Sequence, residues 1–234
     1  MPIPTRFAPF LAAIAVVAAG SVAGADPVVP VPTAPATPLH APAVLPAGRV
    51  ASMTPAASAA WLPPSATYLR IYILDGLDPV GLAGVESLAE RLRRAGFPRV
   101  EVDGWYSWWF VEREIRSTHA ADPNARFAVI GYSTGSYAAR MMVNRLTRAG
   151  IPVSVLGYVG GDFLSDSPRT RMPGVGQVVN VTGDGFLLTG RNLFYNGTDL
   201  TGARNVRLNG TWHYELPTHP TTFDTLFAAL AAAE

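Results

Sequence analysis

Phe127-Ala128-Val129-Ile130-Gly131-Tyr132-Ser133-Thr134-Gly135 is a short apolar run that ends in G-x-S-x-G. Ser136-Tyr137-Ala138-Ala139-Arg140-Met141-Met142 follows and opens a helical pattern. The context of the five-residue motif carries more information than its letters. A strand that feeds a sharp turn into a helix holds the central serine in a strained conformation with its hydroxyl exposed. The glycines on either side let the helix pass close to the strand. The free amides at the helix start then face any negative charge that develops beside the serine. The pattern predicts Ser133 as a nucleophile, with the Thr134 N–H as one oxyanion donor.

Working outward, strand and helix patterns alternate. Strands are expected at 68–74, 99–103, 126–130, 153–159, 177–182 and 204–208. Leu82, Val85, Leu88, Ala89 and Leu92 recur at helical spacing, so a helix is expected over 80–95, stopped by Gly96. Further helices are expected over 109–121, closed before Asp122-Pro123, over 134–149, and from Pro220 onward. The alternation predicts an α/β fold: a mostly parallel sheet of about six strands with helices on both faces. In such sheets ligands bind beyond the carboxyl ends of the strands. The loops that follow the strands are therefore where chemistry is expected.

The flanks read differently. Arg6 is the single charge in the first 25 residues, an apolar run covers Phe7 to Ala19, and Ala23-Gly24-Ala25 fits a signal peptidase. Residues 1–25 are read as a signal peptide cleaved after Ala25, which predicts export to periplasm or medium. The apolar run is shorter than the ~20 residues that a membrane span needs, so no stable insertion is expected after cleavage. Residues 26–66 hold ten of the 21 prolines and are read as an extended, poorly ordered tether. Residues 67–234 form the one expected domain. A formal net charge of +1 gives no case for nucleic acid as a partner. The absence of cysteine excludes disulfides, a thiolate nucleophile and cysteine-ligated zinc. No G-x-x-x-x-G-K-[ST] run is present, which argues against a phosphate-binding α/β domain.

On the elbow and its setting, the region 67–234 resembles the α/β-hydrolase superfamily, and within it the small cap-free lipases and cutinases. The resemblance implies the chain order serine, acid, histidine, with the histidine just after the last strand. Of the four histidines, His40 lies in the tether and His119 late in a polar helix. His213 follows the strand at 204–208 in Thr211-Trp212-His213-Tyr214-Glu215-Leu216-Pro217 and is the expected base. His219 precedes Pro220 and is expected to cap the final helix. Asp184, in Val181-Thr182-Gly183-Asp184-Gly185, stands where the resemblance puts the acid. Asp162, in Gly160-Gly161-Asp162, is the alternative one strand earlier. The second oxyanion amide is expected from Gly76 or Leu77 in Asp75-Gly76-Leu77-Asp78-Pro79, where the family often has His-Gly. Asp75 and Asp78 put acidic groups beside an anion site, unless they cap the following helix.

Gly104-Trp105-Tyr106-Ser107-Trp108-Trp109-Phe110 places three of the five tryptophans after one strand. Trp105, Tyr106, Trp108, Tyr132 and Phe186 are the candidate substrate contacts, with a helix start packed onto the sheet as the competing reading of the tryptophan loop. Together these features predict an exported serine hydrolase that cleaves carboxylic or thio esters through an acyl-enzyme, with no metal and no cofactor. The expected partner is a small-molecule, lipid or polymer ester. The alternative is a noncatalytic binding or surface protein that kept the fold. Oligomeric state is not encoded in these patterns.

Overall fold

A computed structural model describes residues 68–78, 81–161, 170–184 and 199–233, all within the unit Val50–Glu234. The expected signal peptide and tether, Asp162 and Phe186 lie outside the described residues. Six strands form one sheet: β1 (Leu69–Asp75), β2 (Val100–Gly104), β3 (Arg126–Tyr132), β4 (Val153–Val159), β5 (Val175–Gly183) and β6 (Arg204–Leu208). Their order is β2-β1-β3-β4-β5-β6, and every pairing is parallel. Among the described residues four α-helices accompany them: α1 (Val85–Arg94), α2 (Trp108–Ala121), α3 (Thr134–Arg148) and α4 (Pro220–Ala231).

The strand sequences explain why the sheet is covered on both sides. Alternate residues of one strand face opposite ways, and in β3 both sets are apolar and buried. Ala128 and Ile130 join Ile71, Ile73, Val155, Val179 and Val181 in one core. Val85, Leu88 and Leu92 of α1 and Leu226 and Leu230 of α4 close it. Phe127 and Val129 join Tyr72, Leu74 and Leu156 in the other. Val111 and Ile115 of α2 and Ala139, Met142 and Leu146 of α3 close that one. Each such aliphatic side chain, fully buried, contributes roughly 1.5–3 kcal/mol. This two-sided burial replaces the polar-apolar alternation that a half-exposed sheet would show.

α1 begins at Val85, later than the helical periodicity suggests. Asp78 explains the delay: its carboxylate accepts the N–H groups of Leu82 (2.9 Å) and Ala83 (2.7 Å). The chain is held in a turn through those residues, and the helix starts only after Gly84.

α2 and α3 are tied by a charge cluster. Glu112 is buried on α2 and accepts from Arg116 on its own helix and from Arg145 on α3, both at 2.8 Å. The Arg145 guanidinium also lies 5.7 Å from the Trp108 ring centroid. Glu112→Ala is expected to lower the unfolding free energy by about 2 kcal/mol, less than for a fully dry pair because both arginines reach solvent. Urea denaturation measures this. An unchanged midpoint would mean that desolvation of Glu112 offsets its two ion pairs.

Candidate active site

β3 ends at Tyr132 and α3 starts at Thr134, so Ser133 alone makes the turn. Its backbone sits at φ 53, ψ −126. Among the described residues it is the one non-glycine with positive φ. Such a conformation costs on the order of 1–3 kcal/mol and persists only when the surroundings impose it. Here the Ser133 N–H donates to the Val159 carbonyl at the end of β4 (3.0 Å), and the Ser133 carbonyl accepts the Ser136 N–H (2.9 Å). The Ser136 hydroxyl donates back to the Gly131 carbonyl (2.7 Å). Gly135 lets α3 lie directly on the end of β1, since a Cβ there would overlap the Leu74 carbonyl. The chain has been bent to present one hydroxyl at the carboxyl edge of a parallel sheet.

The fold is a parallel α/β sheet with the serine turn at its carboxyl edge.

His213 arrives at the same edge from the short turn His213–Glu215 that follows β6. Four contacts place it. The Tyr132 ring stacks on the imidazole, centroids 4.8 Å apart and planes 26° from parallel. The Tyr132 hydroxyl donates to the His213 carbonyl (3.3 Å). The Glu215 carboxylate accepts the Trp212 N–H (2.9 Å), closing the turn that carries the histidine. Leu216, 0% exposed, anchors the far side in the core. Gly160 then receives the ring: a Cβ on it would stand 2.8 Å from His213 Nδ1, and its φ of +58 suits glycine. Val159 therefore holds Ser133 while the next residue, Gly160, borders His213. Ser133 and His213, the expected nucleophile and base, thus border adjacent residues at the end of β4.

Burial pushes the His213 imidazole down to about 4, opposed by the nearby Asp78 carboxylate. The neutral form, the one that accepts a proton, is favoured. Burial likewise raises the Tyr132 phenol, with the Tyr214, Asp78 and Asp75 charges adding to the rise. It stays a neutral hydrogen-bond donor.

The loop after β1 approaches from the other side. A Cβ on Gly76 would stand 2.6 Å from Ser133 Cβ and 3.2 Å from Ser133 Oγ. The Gly76 N–H, however, donates to Asp75 Oδ1 (2.6 Å), so of the two amides expected to serve an oxyanion it is the committed one. Among the described residues the Leu77 N–H is not engaged. Thr134, as the first residue of α3, has an N–H with no intrahelical acceptor.

Asp184 follows β5 as expected, but it is exposed, and its carboxylate accepts the Gly210 N–H (2.6 Å). His219 caps α4, its Nδ1 accepting the Thr221 N–H (3.2 Å). His119 is half-buried on α2, far along the helix from its start.

Three of the expected substrate contacts are placed elsewhere. Tyr132 is 2% exposed and spent on the histidine loop, so it supports the site from beneath instead of facing a substrate. Trp105 and Trp108 are half-buried against the core cluster of α2 and α3, because the chain enters α2 directly and needs apolar groups to seat it. Tyr106 is exposed at this edge, and so are Trp109 and Phe110, which the sequence reading had not assigned to the substrate. A cleft of about 680 Å³ lies at the opposite edge, lined by Arg70, Arg99 and Arg126 among others, and contains none of these residues.

No protein-family model and no curated protein sequence matches the chain. Solved structures do. The NocB thioesterase domain from the nocardicin cluster is 17% identical, with 73% of this chain and 97% of that one covered and a TM-score of 0.47. XC6422 from Xanthomonas campestris, an α/β serine hydrolase without a lid, is 15% identical over 70% and 79%, TM-score 0.45. Human thioesterase 2 is 9% identical over 71% and 98%, TM-score 0.45. At these scores the likenesses add no weight to the reading of the site, which stands on the chain's own geometry.

Proposed function

We propose that the protein is a serine hydrolase that cleaves acyl esters or thioesters through an acyl-enzyme. The observation that carries this reading is that the strained Ser133 and the buried His213 border adjacent residues, Val159 and Gly160, at one strand end. A hydroxyl at its ordinary pKa is a poor nucleophile and needs such a base.

Ser133 Oγ attacks the acyl carbonyl, and His213 takes its proton. The carbonyl oxygen becomes an oxyanion, met by the Thr134 and Leu77 N–H groups. The tetrahedral species collapses, the bond to the leaving alcohol or thiol breaks, and His213 returns the proton to it. Water then attacks the acyl-enzyme, giving its proton to His213. The acid departs and the proton goes back to Ser133 Oγ. A carboxylate behind His213 holds the ring in register and stabilises the imidazolium. We assign that role to Asp162. Two facts support it over Asp184: His213 Nδ1 borders Gly160, two residues before Asp162, and the Asp184 carboxylate is exposed, with Oδ1 accepting the Gly210 N–H. Export through the leader at 1–25 and a tether at 26–66 belong to the same proposal. The exposed Tyr106, Trp109 and Phe110 favour substrates with an apolar acyl part.

The test is covalent labelling. A fluorophosphonate probe is expected to modify the protein once, at Ser133, as located by mass spectrometry, and His213→Ala is expected to suppress the reaction. A folded protein that stays unlabelled would overturn the hydrolase reading and favour a noncatalytic binding domain.

A further inference from the structure

We propose, resting on that acyl-transfer reading, that Asp75 is a positioning residue whose carboxylate fixes the Gly76–Leu77 peptide so that the Leu77 N–H is left to face the oxyanion. Asp75 is the last residue of β1, paired to Gly104 of β2, so its backbone is set by the sheet. Its side chain turns into the loop and accepts the Gly76 N–H (2.6 Å). Gly76 in turn is pressed against Ser133, where a Cβ would also stand 2.9 Å from the Tyr132 carbonyl. Three residues on, Asp78 spends both carboxylate oxygens on Leu82 and Ala83. The loop is thus stapled on each side by an aspartate, with the unengaged Leu77 N–H between the staples. This accounts for two acidic groups beside an anion site: each is satisfied by backbone donors of its own loop.

Asp75 is half-buried, and among the described residues it forms no ion pair. Burial raises its carboxyl, the Gly76 N–H opposes that rise, and the Asp78 charge adds to it. Among the described residues the Gly76 amide is therefore the one hydrogen-bond donor to this carboxylate. A donor displaced by a fraction of an ångström loses much of its effect on a developing oxyanion.

The experiment compares Asp75→Ala and Asp75→Asn with the native protein, using p-nitrophenyl butyrate and concentrations set by fluorophosphonate titration of Ser133. Asp75→Ala is expected to lower kcat roughly 10- to 100-fold with KM within about threefold. Asp75→Asn should stay within about threefold of native kcat, because its amide oxygen accepts the same N–H. An alanine variant with unchanged or raised kcat overturns the proposal, and so does an asparagine variant as impaired as alanine. If Asp75→Ala does not fold, the asparagine variant decides: a loss of tenfold or more overturns the role. Amide exchange at Gly76, followed by NMR, reads the contact without reference to activity. Slow exchange in native and asparagine proteins and fast exchange in Asp75→Ala supports the proposal, and equal exchange in all three overturns it. Absent labelling of native Ser133 would instead count against the hydrolase reading.

Discussion

Ser133→Ala is expected to lower kcat on an acyl ester by about 10⁵- to 10⁶-fold, His213→Ala by a comparable factor, and the double variant by no more than either alone. The reason is that the two side chains act as a unit. Without His213 the hydroxyl keeps its proton, and without Ser133 the imidazole has nothing to activate. What survives is the contribution of the oxyanion amides and of binding, on the order of 10³ over water. The fold should be indifferent to Ser133→Ala. Alanine at φ 53 is as strained as serine, and the bonds that impose the turn are backbone bonds to Val159 and Ser136. Steady-state kinetics on the three proteins, each with its thermal midpoint, makes the comparison. Losses that multiply in the double variant would show that serine and histidine act independently, against the mechanism.

The second large effect concerns the acid. Asp162→Asn is expected to reduce kcat by roughly 10³- to 10⁴-fold, whereas Asp184→Asn should remain within about threefold of native. The pH profile gives the sharper readout. Burial pushes the His213 imidazole down to about 4, opposed by the Asp78 carboxylate, and on the proposed assignment Asp162→Asn removes a further charge that favours the imidazolium. The acid limb of kcat/KM, which marks protonation of the base, should therefore lie at lower pH in this variant than in the native protein. In Asp184→Asn the limb should not move, since that carboxylate serves Gly210. The reverse pattern would return the role to Asp184.

Much of this architecture is legible in the sequence because burial on both sheet faces writes itself as runs of Val, Ile and Leu. The strands expected at 153–159 and 204–208 are β4 and β6 to the residue, and the others differ by one or two at their ends. The serine turn is legible because glycine at 131 and 135 has a steric cause visible in five letters. What the sequence hides is direction. β3 is apolar on both sides, so periodicity does not say that Tyr132 turns toward the histidine loop. The tryptophans at 105 and 108 have the composition of a binding surface and the position of a helix seat, and packing decides for the seat. The Asp75 carboxylate folds back onto its neighbour's amide, a choice made by side-chain torsion alone. His213 and Gly160 are 53 residues apart in the chain, and their contact exists only once β4 and β6 are in place.

The sheet order carries a consequence for synthesis. From β3 onward each new strand is laid at the growing flank, β4, then β5, then β6, while β1 and β2 already lie on the other side. A chain emerging from the ribosome thus has every element of the serine turn well before the turn at His213–Glu215 exists, and Leu216, which anchors that turn, comes later still. On the proposed mechanism such a nascent chain carries Ser133 without its base. The segment that carries His213 is then the arming step: reactivity would begin only when that segment docks.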